Sequence, residues 1–397
     1  MKKVMAGLIV AAGVGATCLA AETNTTAAVA PAPAPAPKTW VDTLTLKGDF
    51  RYRYETINDD AKKNASKDTY TRERDRIRAR LAAEAKCNDD LKVVVGLSTG
   101  DKDPISGNQT LGDGAQKKAM MLDLAYMDYS FIGDTTANEI HGFAGKMKNP
   151  FMTMNDDLMW DPDLTPEGLA LKGQTGNDTV TLYANGGYLW LLERDSKNPG
   201  TLVAGQGAAK IQFIPEVSLT VGASYYGFQN VQGYDVIDWQ AANSGYGNTT
   251  KNGSVSGGVT NKAWASAFTP VVYFASLDIW VAGLPVSIFG QELSNTDATS
   301  LDQGHLFGVS LGKAKNPGSF EVGYSHAELQ KDATIGFWTD SDRWGGGTDG
   351  KGDKLYGKYQ LMKNLQLGVT YFTDDKGIAS GKPTNYNRMM VDLQAAF

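Results

Sequence analysis

The chain has only two cysteines among its 397 residues, and no apolar run beyond its N-terminal segment is long enough for a membrane-spanning helix. Such a helix needs ~18 or more consecutive apolar residues. Cys18 lies in the N-terminal segment, so Cys87 would have no partner in a mature chain and an intramolecular disulfide is excluded. The net charge of −6 provides no basic surplus, which argues against a nucleic-acid partner.

The N-terminal segment has the pattern of a secretory signal peptide. Two lysines precede an apolar run, and an Ala-Ala pair at 20–21 suits cleavage by a signal peptidase. A lipoprotein interpretation through Cys18 is disfavoured because Gly-Ala-Thr before it lacks the usual leading aliphatic residue. We therefore expect residues 1–21 to be a signal peptide. Residues 22–40, rich in alanine and proline, are then an extended periplasmic spacer.

From residue 41 onward, apolar and polar side chains alternate with a period of two. The segment 72–87 places an arginine at every second position up to residue 80, and apolar residues occupy the other face from Ile77. On a helix, at about 100° per residue, these arginines would scatter around the axis and leave no apolar face. As a strand, the same segment has one apolar face of ~11 residues, about the length of a tilted membrane-spanning strand. The alternation therefore predicts strands with one charged and one apolar face.

Connections between the predicted strands alternate in length. Short turns such as 87–90 and 362–364 alternate with long polar segments such as 230–262 and 331–351. A soluble sandwich would mix loop lengths at both ends. We therefore predict that residues 41–397 form an all-β transmembrane antiparallel β-barrel of about 16 strands, with short periplasmic turns and long extracellular loops. The predicted strands are residues 42–55, 72–87, 91–100, 119–131, 139–149, 166–174, 179–192, 201–214, 217–229, 263–281, 285–294, 304–313, 319–330, 352–362, 365–374 and 386–397.

Several blocks of the N-terminal half resemble the putative porin family of Gram-negative outer membranes. They are LKGDFRYRYE (46–55), RDRIRARLAAEAKCNDDLKVVVGLSTGDKDP (74–104), NQTLGDG (108–114) and GKMKNPF (145–151). The resemblance implies a sixteen-stranded, water-filled outer-membrane barrel for passive diffusion of small hydrophilic or charged solutes. It also implies a homotrimer in contact with lipid and lipopolysaccharide, and periplasmic chaperones and the barrel assembly machinery as partners in biogenesis. The last strand, ending in Phe397, is similar to the C-terminal sorting signal of outer-membrane proteins.

The polar faces of the first two predicted strands form one wall of the expected lumen. A charge on the lipid face would cost ~2–4 kcal/mol near mid-membrane, so we expect these side chains to face the pore. The candidate pore-lining residues are Arg51, Arg53, Arg74, Arg76, Arg78, Arg80, Lys86, Lys146 and Lys148. Two interpretations stay open: charges that select solutes by sign, or a ladder neutralised by neighbours such as Asp49, Glu55 and Glu84 across the strand pair.

The segment 150–165 is the candidate counter-charge. It joins the fifth and sixth predicted strands, which is the position of the inward-folded loop in known sixteen-stranded porins. Its acids are Asp156, Asp157, Asp161 and Asp163, interspersed with apolar residues. We predict that this segment packs inside the barrel and forms a constriction with the arginine wall. An ordinary solvated extracellular loop is the alternative.

We expect neither a cofactor nor catalysis. Calcium in acidic loops such as 161–163 is a minor alternative, because no EF-hand spacing is present. His305 and Ser310 fall on opposite strand faces, and none of the three histidines has an evident partner, so we expect no enzyme. A plugged barrel with a structural or adhesive role is the alternative to a channel.

Overall fold

The computed structural model describes residues 43–63, 69–133, 138–237, 245–256 and 258–397. The predicted signal peptide (1–21) and spacer (22–40) lie outside these residues. Within the described ranges, no helix has the length and apolarity that crossing a membrane would require.

Sixteen antiparallel strands form a closed barrel in the described residues, which confirms the predicted fold class. The first strand pairs with the last, from Asp49 opposite Ala396 to Asp59 opposite Tyr386, so the sheet has no free edge. The strands are β1 (Leu44–Lys63), β2 (Thr69–Lys86), β3 (Leu91–Thr99), β4 (Met120–Ile132), β5 (Asn138–Lys146), β6 (Glu167–Gly176), β7 (Val180–Leu192), β8 (Gly200–Ile214), β9 (Val217–Gln229), β10 (Pro270–Val281), β11 (Leu284–Asn295), β12 (Gln303–Gly312), β13 (Phe320–Leu329), β14 (Gly350–Met362), β15 (Leu365–Lys376) and β16 (Thr384–Ala396).

Local turn chemistry ends the strands at the short-turn end of the barrel. The side chain of Asn88 accepts hydrogen bonds from the backbone N–H groups of Asp90 and of Leu91, the first residue of β3. Asn177 makes the same Asx turn before β7. Between β10 and β11, Ala282 and Gly283 both have positive φ, 50° and 80°, as a two-residue hairpin turn requires. These short turns hold each strand in register with the next.

Several strand boundaries differ from the sequence prediction, most of all at β1 and β10. β1 continues to Lys63 and β2 begins at Thr69, so the first long connection is shorter than the predicted 56–71. The predicted strand 263–281 is wrong at its start. There, Val259–Trp264 pairs with Thr250–Ser256 in a separate hairpin, and β10 begins only at Pro270. The apolar residues of this region are buried in the loop rather than aligned on a strand face, and proline suits the first position of a strand.

A hydrophobic cluster fills one side of the barrel interior. The leucines 189, 202, 293 and 329, which lie on β7, β8, β11 and β13, are each 0% exposed. They belong to one cluster with apolar side chains of several long connections, among them residues 147–166 and 330–349 and also Trp264 and Phe268. Sixteen-stranded porins usually leave an aqueous channel. Here open space remains along β1, β2 and β16, whose inward residues line cavities.

Candidate functional site

β1 and β2 carry a row of arginines on the inner face of the barrel. In the strand register, Arg51 lies opposite Arg78 and Arg53 lies opposite Arg76. Alternate residues of a strand share a face, so this register brings the predicted arginines together. β16 adds Arg388, which is 3% exposed. We call Arg51, Arg53, Arg74, Arg76, Arg78, Arg80 and Arg388 the arginine wall.

Carboxylates neutralise most of the arginine wall. Among the described residues, every member except Arg51 forms an ion pair. The partners are Asp392 for Arg53 (2.7 Å), Glu55 for Arg74, Arg76 (3.7 Å) and Arg388 (2.5 Å), Asp49 for Arg78 (3.0 Å) and Arg80 (2.7 Å), Asp163 for Arg78 (2.8 Å) and Arg80 (3.3 Å), and Asp342 for Arg53 (3.4 Å) and Arg388 (2.8 Å). Glu55 is 0% exposed and has therefore lost its hydration, so its charge is stabilised by its three arginine neighbours instead of by water.

The three predicted lysines lie away from the centre of this wall. Lys86 is exposed beside the first short turn and pairs with Asp89 at 3.2 Å. Lys146, the last residue of β5, pairs with Glu167 at 3.1 Å. Lys148 lines a cavity on the short-turn side. Their place in a selectivity site stays a prediction.

Phe397 lies at the seam of the barrel. Its backbone N–H donates to the carbonyl of Gly48 at 3.0 Å, and its carbonyl accepts from the Gly48 N–H at 3.0 Å. Its side chain is 67% exposed, so the ring is not needed to fill the barrel interior. A role of Phe397 in sorting also stays a prediction.

The segment 147–166 between β5 and β6, here called L3, lies inside the barrel. Asp163 is the L3 acid that reaches the arginine wall by ion pairing, through Arg78 and Arg80. Asp156 instead pairs with Arg343 at 2.7 Å. Asp157 accepts two backbone N–H groups of its own loop and a hydrogen bond from a β11 glutamine. The four predicted acids therefore have different partners.

A second segment, residues 330–349 between β13 and β14, also lies inside the barrel and is called L7. Trp338 stacks on Trp160 of L3, with ring centroids 5.3 Å apart. The N–H of Asp161 donates to the Trp338 carbonyl at 2.8 Å, and the Ser341 N–H donates to Asp161 Oδ2 at 2.9 Å. The sequence does not predict this position for L7. The available signal is the group Ile335, Phe337 and Trp338 within an otherwise polar, glycine-rich loop.

The long connection between β9 and β10 holds L7 in place. The side-chain amide of Asn248 donates to the carbonyls of Lys331 and Thr334, both at 2.8 Å. Its oxygen accepts the N–H of Gly336 at 2.9 Å. Asn248 is 4% exposed, so these bonds satisfy a buried amide and fix the L7 backbone.

Burial and neighbouring charges together shift the pKa values of the loop acids in opposite directions. Burial alone would raise the pKa of Asp342, but Arg388 and Arg53 hold it well below its usual range. Burial raises the pKa of Asp340 to about 6, and the charge of Asp342 adds to this rise. Burial, with Asp340 as a neighbouring like charge, also raises the pKa of Asp161 well above its usual range. L7 and L3 therefore present both firmly ionised and easily protonated carboxyls.

Three cavities follow the arginine wall from one end of the barrel to the other. Toward the long loops lies a cavity of about 780 Å³, and toward the short turns lies one of about 760 Å³. Between them is a cavity of about 220 Å³, called the narrow cavity. Its charged lining residues are Arg51, Arg53, Arg78 and Arg80 from the strands, and Asp161, Asp163, Asp340 and Asp342 from the loops. The narrow cavity shares Ser341 and Asp342 with the cavity toward the long loops. It shares Arg80 and Asp163 with the cavity toward the short turns.

Comparison with protein families gives the family of the chain. Residues 59–256 and 274–397, together well over half of the chain, match the family described as "Putative porin". The chain belongs to the putative porin family. Membership and fold indicate an outer-membrane porin, and a channel rather than an enzyme. No curated protein matches the chain.

The porin's fold is similar to solved outer-membrane structures. Pseudomonas putida OprB at high pH is 11% identical, with a TM-score of 0.54 over 89% of this chain and 94% of that chain. Vibrio cholerae OmpT in its trimer form is 12% identical, with a TM-score of 0.49 over 90% and 100%. Salmonella typhi OmpF in complex with daunomycin is 12% identical, with a TM-score of 0.49 over 89% and 97%. At such low identity, OprB supports the fold alone.

Two histidines of the porin have carboxylate partners that the sequence does not reveal. His141 Nδ1 lies 2.7 Å from Asp128, and His326 Nδ1 lies 2.9 Å from Asp353. The expectation that the histidines lack partners is therefore wrong, because cross-strand neighbours supply them. Neither pair lines the narrow cavity. In the described part of the chain, no group of three or more His, Cys, Asp or Glu side chains could hold a metal ion.

Proposed function

We propose that the porin conducts small hydrophilic and charged solutes passively through the narrow cavity. The observation that carries this proposal is the series of three cavities with shared lining residues along the arginine wall. Arginines of β1 and β2 line the narrow cavity together with aspartates of L3 and L7, and several of them are ion-paired with each other. Charges of both signs around so small a cavity create a local field, which acts on charged and dipolar solutes. No cofactor enters this proposal.

The apolar undersides of L3 and L7 support the same proposal. Phe151 and Tyr226 pack on Trp160 with ring centroids 5.6 Å away in each case, and Phe228 packs on Trp338 with ring centroids 5.8 Å apart. Aromatic pairs of this kind each contribute roughly 0.5–1.5 kcal/mol beyond the burial of their area. This packing keeps the acidic residues of both loops at a constant distance from the arginine wall.

A plugged barrel with a structural or adhesive role is the second candidate. It is favoured by the hydrophobic cluster that fills one side of the interior and by the small volume of the narrow cavity, about 220 Å³. In that function the ion pairs of the arginine wall would serve stability, and solutes would not pass.

Planar-bilayer recording of the purified, folded protein separates the two candidates. Folding is checked first by heat-modifiable migration on a gel. We expect discrete conductance steps in potassium chloride, because we infer that the three cavities, which share lining residues, join into one path. A folded protein that inserts into bilayers without producing steps would contradict the porin proposal and support the plugged barrel.

The homotrimer remains part of this proposal. Its support is the family membership and the outer face, where large apolar side chains such as Leu46 and Leu171 are 58% and 55% exposed. We infer that lipid and the acyl chains of lipopolysaccharide cover most of this face, and that neighbouring subunits cover the rest. Native mass measurement in detergent tests the subunit number.

A further inference from the structure

Arg51 is the exception in the arginine wall. Its cross-strand neighbours are Arg78 on β2 and Gln394 on β16, so neither side of the ladder offers it a carboxylate. Like charges directly opposite each other in a strand pair are destabilising. Among the described residues, Arg51 forms no ion pair, whereas every other arginine of the wall does.

The carboxylates that act on Arg51 from nearby are already occupied. Asp392, Asp163 and Asp342 are acids whose charges reach it, and Asp342 is ion-paired with Arg53 and Arg388. Asp392 forms two hydrogen bonds with Arg53, at 2.7 and 2.8 Å. Asp163 bridges two further arginines of the wall. Arg51 is therefore a cation without a counter-charge of its own in the protein.

The environment of Arg51 is that of a prepared site. The side chain is 9% exposed and lines the narrow cavity. Its Nη2 donates to Asn108 Oδ1 at 2.7 Å, which fixes the plane of the guanidinium. Asn108 is itself held by a hydrogen bond from its Nδ2 to Ser106 Oγ at 3.2 Å. The Nε of Arg51 is buried and has no hydrogen-bond partner in the described residues, as is also the case for Arg76, Arg78 and Arg388.

An uncompensated charge in such a place is costly for a protein to maintain. Buried charges are normally paired, because a lone ion loses its hydration without recompense. A guanidinium presents parallel N–H donors that match the two oxygens of a carboxylate or phosphate. The combination of a fixed guanidinium, a missing counter-charge and a position on the permeation path suits an oxyanion.

We propose that Arg51 is a transient binding site for small oxyanions, carboxylate or phosphate, and that it makes the porin favour anionic solutes. This inference rests on the proposed diffusion function. A passing anion takes the position of the missing counter-charge beside Arg51, and its departure is rapid because a single guanidinium holds it. Two of the four aspartates of the narrow cavity, Asp163 and Asp342, are ion-paired with other arginines and therefore do not serve as a counter-charge for Arg51.

The test compares three variants in planar bilayers under salt gradients of potassium chloride, potassium acetate and potassium phosphate. Arg51→Gln removes the charge, and Arg51→Lys keeps the charge but removes the paired donors. Arg72→Gln is the matched control, because Arg72 is exposed and lines only the wider cavity toward the long loops. Heat-modifiable migration verifies that each variant is folded.

We expect Arg51→Gln to lower the anion-over-cation permeability ratio about fivefold, the factor that corresponds to ~1 kcal/mol between two unit charges 4 Å apart in water. Arg51→Lys should retain the ratio for chloride but lose the preference for acetate and phosphate over chloride. Arg72→Gln should leave all ratios near those of the unmodified porin. Equal permeability ratios for Arg51→Gln and the unmodified porin would overturn the inference, whereas silence of the unmodified porin would overturn the diffusion function instead.

Discussion

Replacing Trp338 with alanine tests whether the docked L7 loop narrows the pore. Trp338 is 5% exposed, and its ring lies 5.3 Å from Trp160 and 5.8 Å from Phe228. Removal of a buried tryptophan side chain costs roughly 3–5 kcal/mol. At about 1.4 kcal/mol for each factor of ten, this change lowers the docking equilibrium of L7 by roughly two to four orders of magnitude. The loop should then spend a measurable fraction of time away from L3.

We expect the Trp338→Ala porin to show a larger and noisier single-channel conductance than the unmodified porin. The reason is that undocked L7 opens the narrow cavity toward the remaining lumen. The barrel itself should persist, because its strand ladder includes no residue of L7. Heat-modifiable migration on a gel should therefore be unchanged.

Trp280→Ala provides the matched control for this measurement. Trp280 is 55% exposed near the short-turn end of β10, away from both inward loops. Its removal should leave the conductance and the current noise unchanged. If Trp338→Ala conducts with the same amplitude and noise as Trp280→Ala, L7 does not form the constriction and the reasoning is refuted.

Two further predictions concern the buried charges. The pKa of Asp340 is raised to about 6 and that of Asp161 is also raised, so lowering the pH through about 6 neutralises these acids. The anion-over-cation permeability ratio should rise and L7 docking should strengthen in the same pH range. Asp340→Asn should flatten this dependence, and an equally steep pH profile in the variant would contradict the assignment. Glu55→Gln leaves Arg74 and Arg76 without their carboxylate inside the barrel and removes one of the two carboxylate partners of Arg388, so it should destabilise the porin by roughly 3–5 kcal/mol in thermal or urea unfolding followed on gels. Glu321→Gln, at a partly exposed ion pair, should cost at most about 1 kcal/mol, and equal losses for the two variants would exclude a special role of Glu55.

The strands could be predicted from the sequence because their signal is local. A pleated strand between lipid and a polar interior must alternate, and this alternation is visible over ten or so residues. The prediction is wrong at residues 263–269, because Trp264 and Phe268 have the apolar character of a strand face but are buried in a loop. An apolar run alone does not reveal whether it packs in a sheet or beneath one.

The partners in the candidate site could not be predicted, because they lie far apart in the chain. Arg343 and its partner Asp156 are separated by 187 residues, and Arg53 and Asp392 by 339. The sequence suggests Asp49, Glu55 and Glu84 as neutralising acids. The first two do pair with the arginine wall, but Glu84 pairs with Lys47. Which arginine remains without a carboxylate depends on the closed barrel and both inward loops together.

The position of the arginine wall at the seam between β1 and β16 has a consequence for folding. Arg53–Asp392 and Glu55–Arg388 join the first and last strands, with sequence separations of 339 and 333 residues. Contacts this distant form late, because the whole intervening chain must be ordered before they are gained. An unclosed barrel therefore exposes arginines that later become neutral pairs. Closure of the barrel therefore also sets the net charge around the narrow cavity.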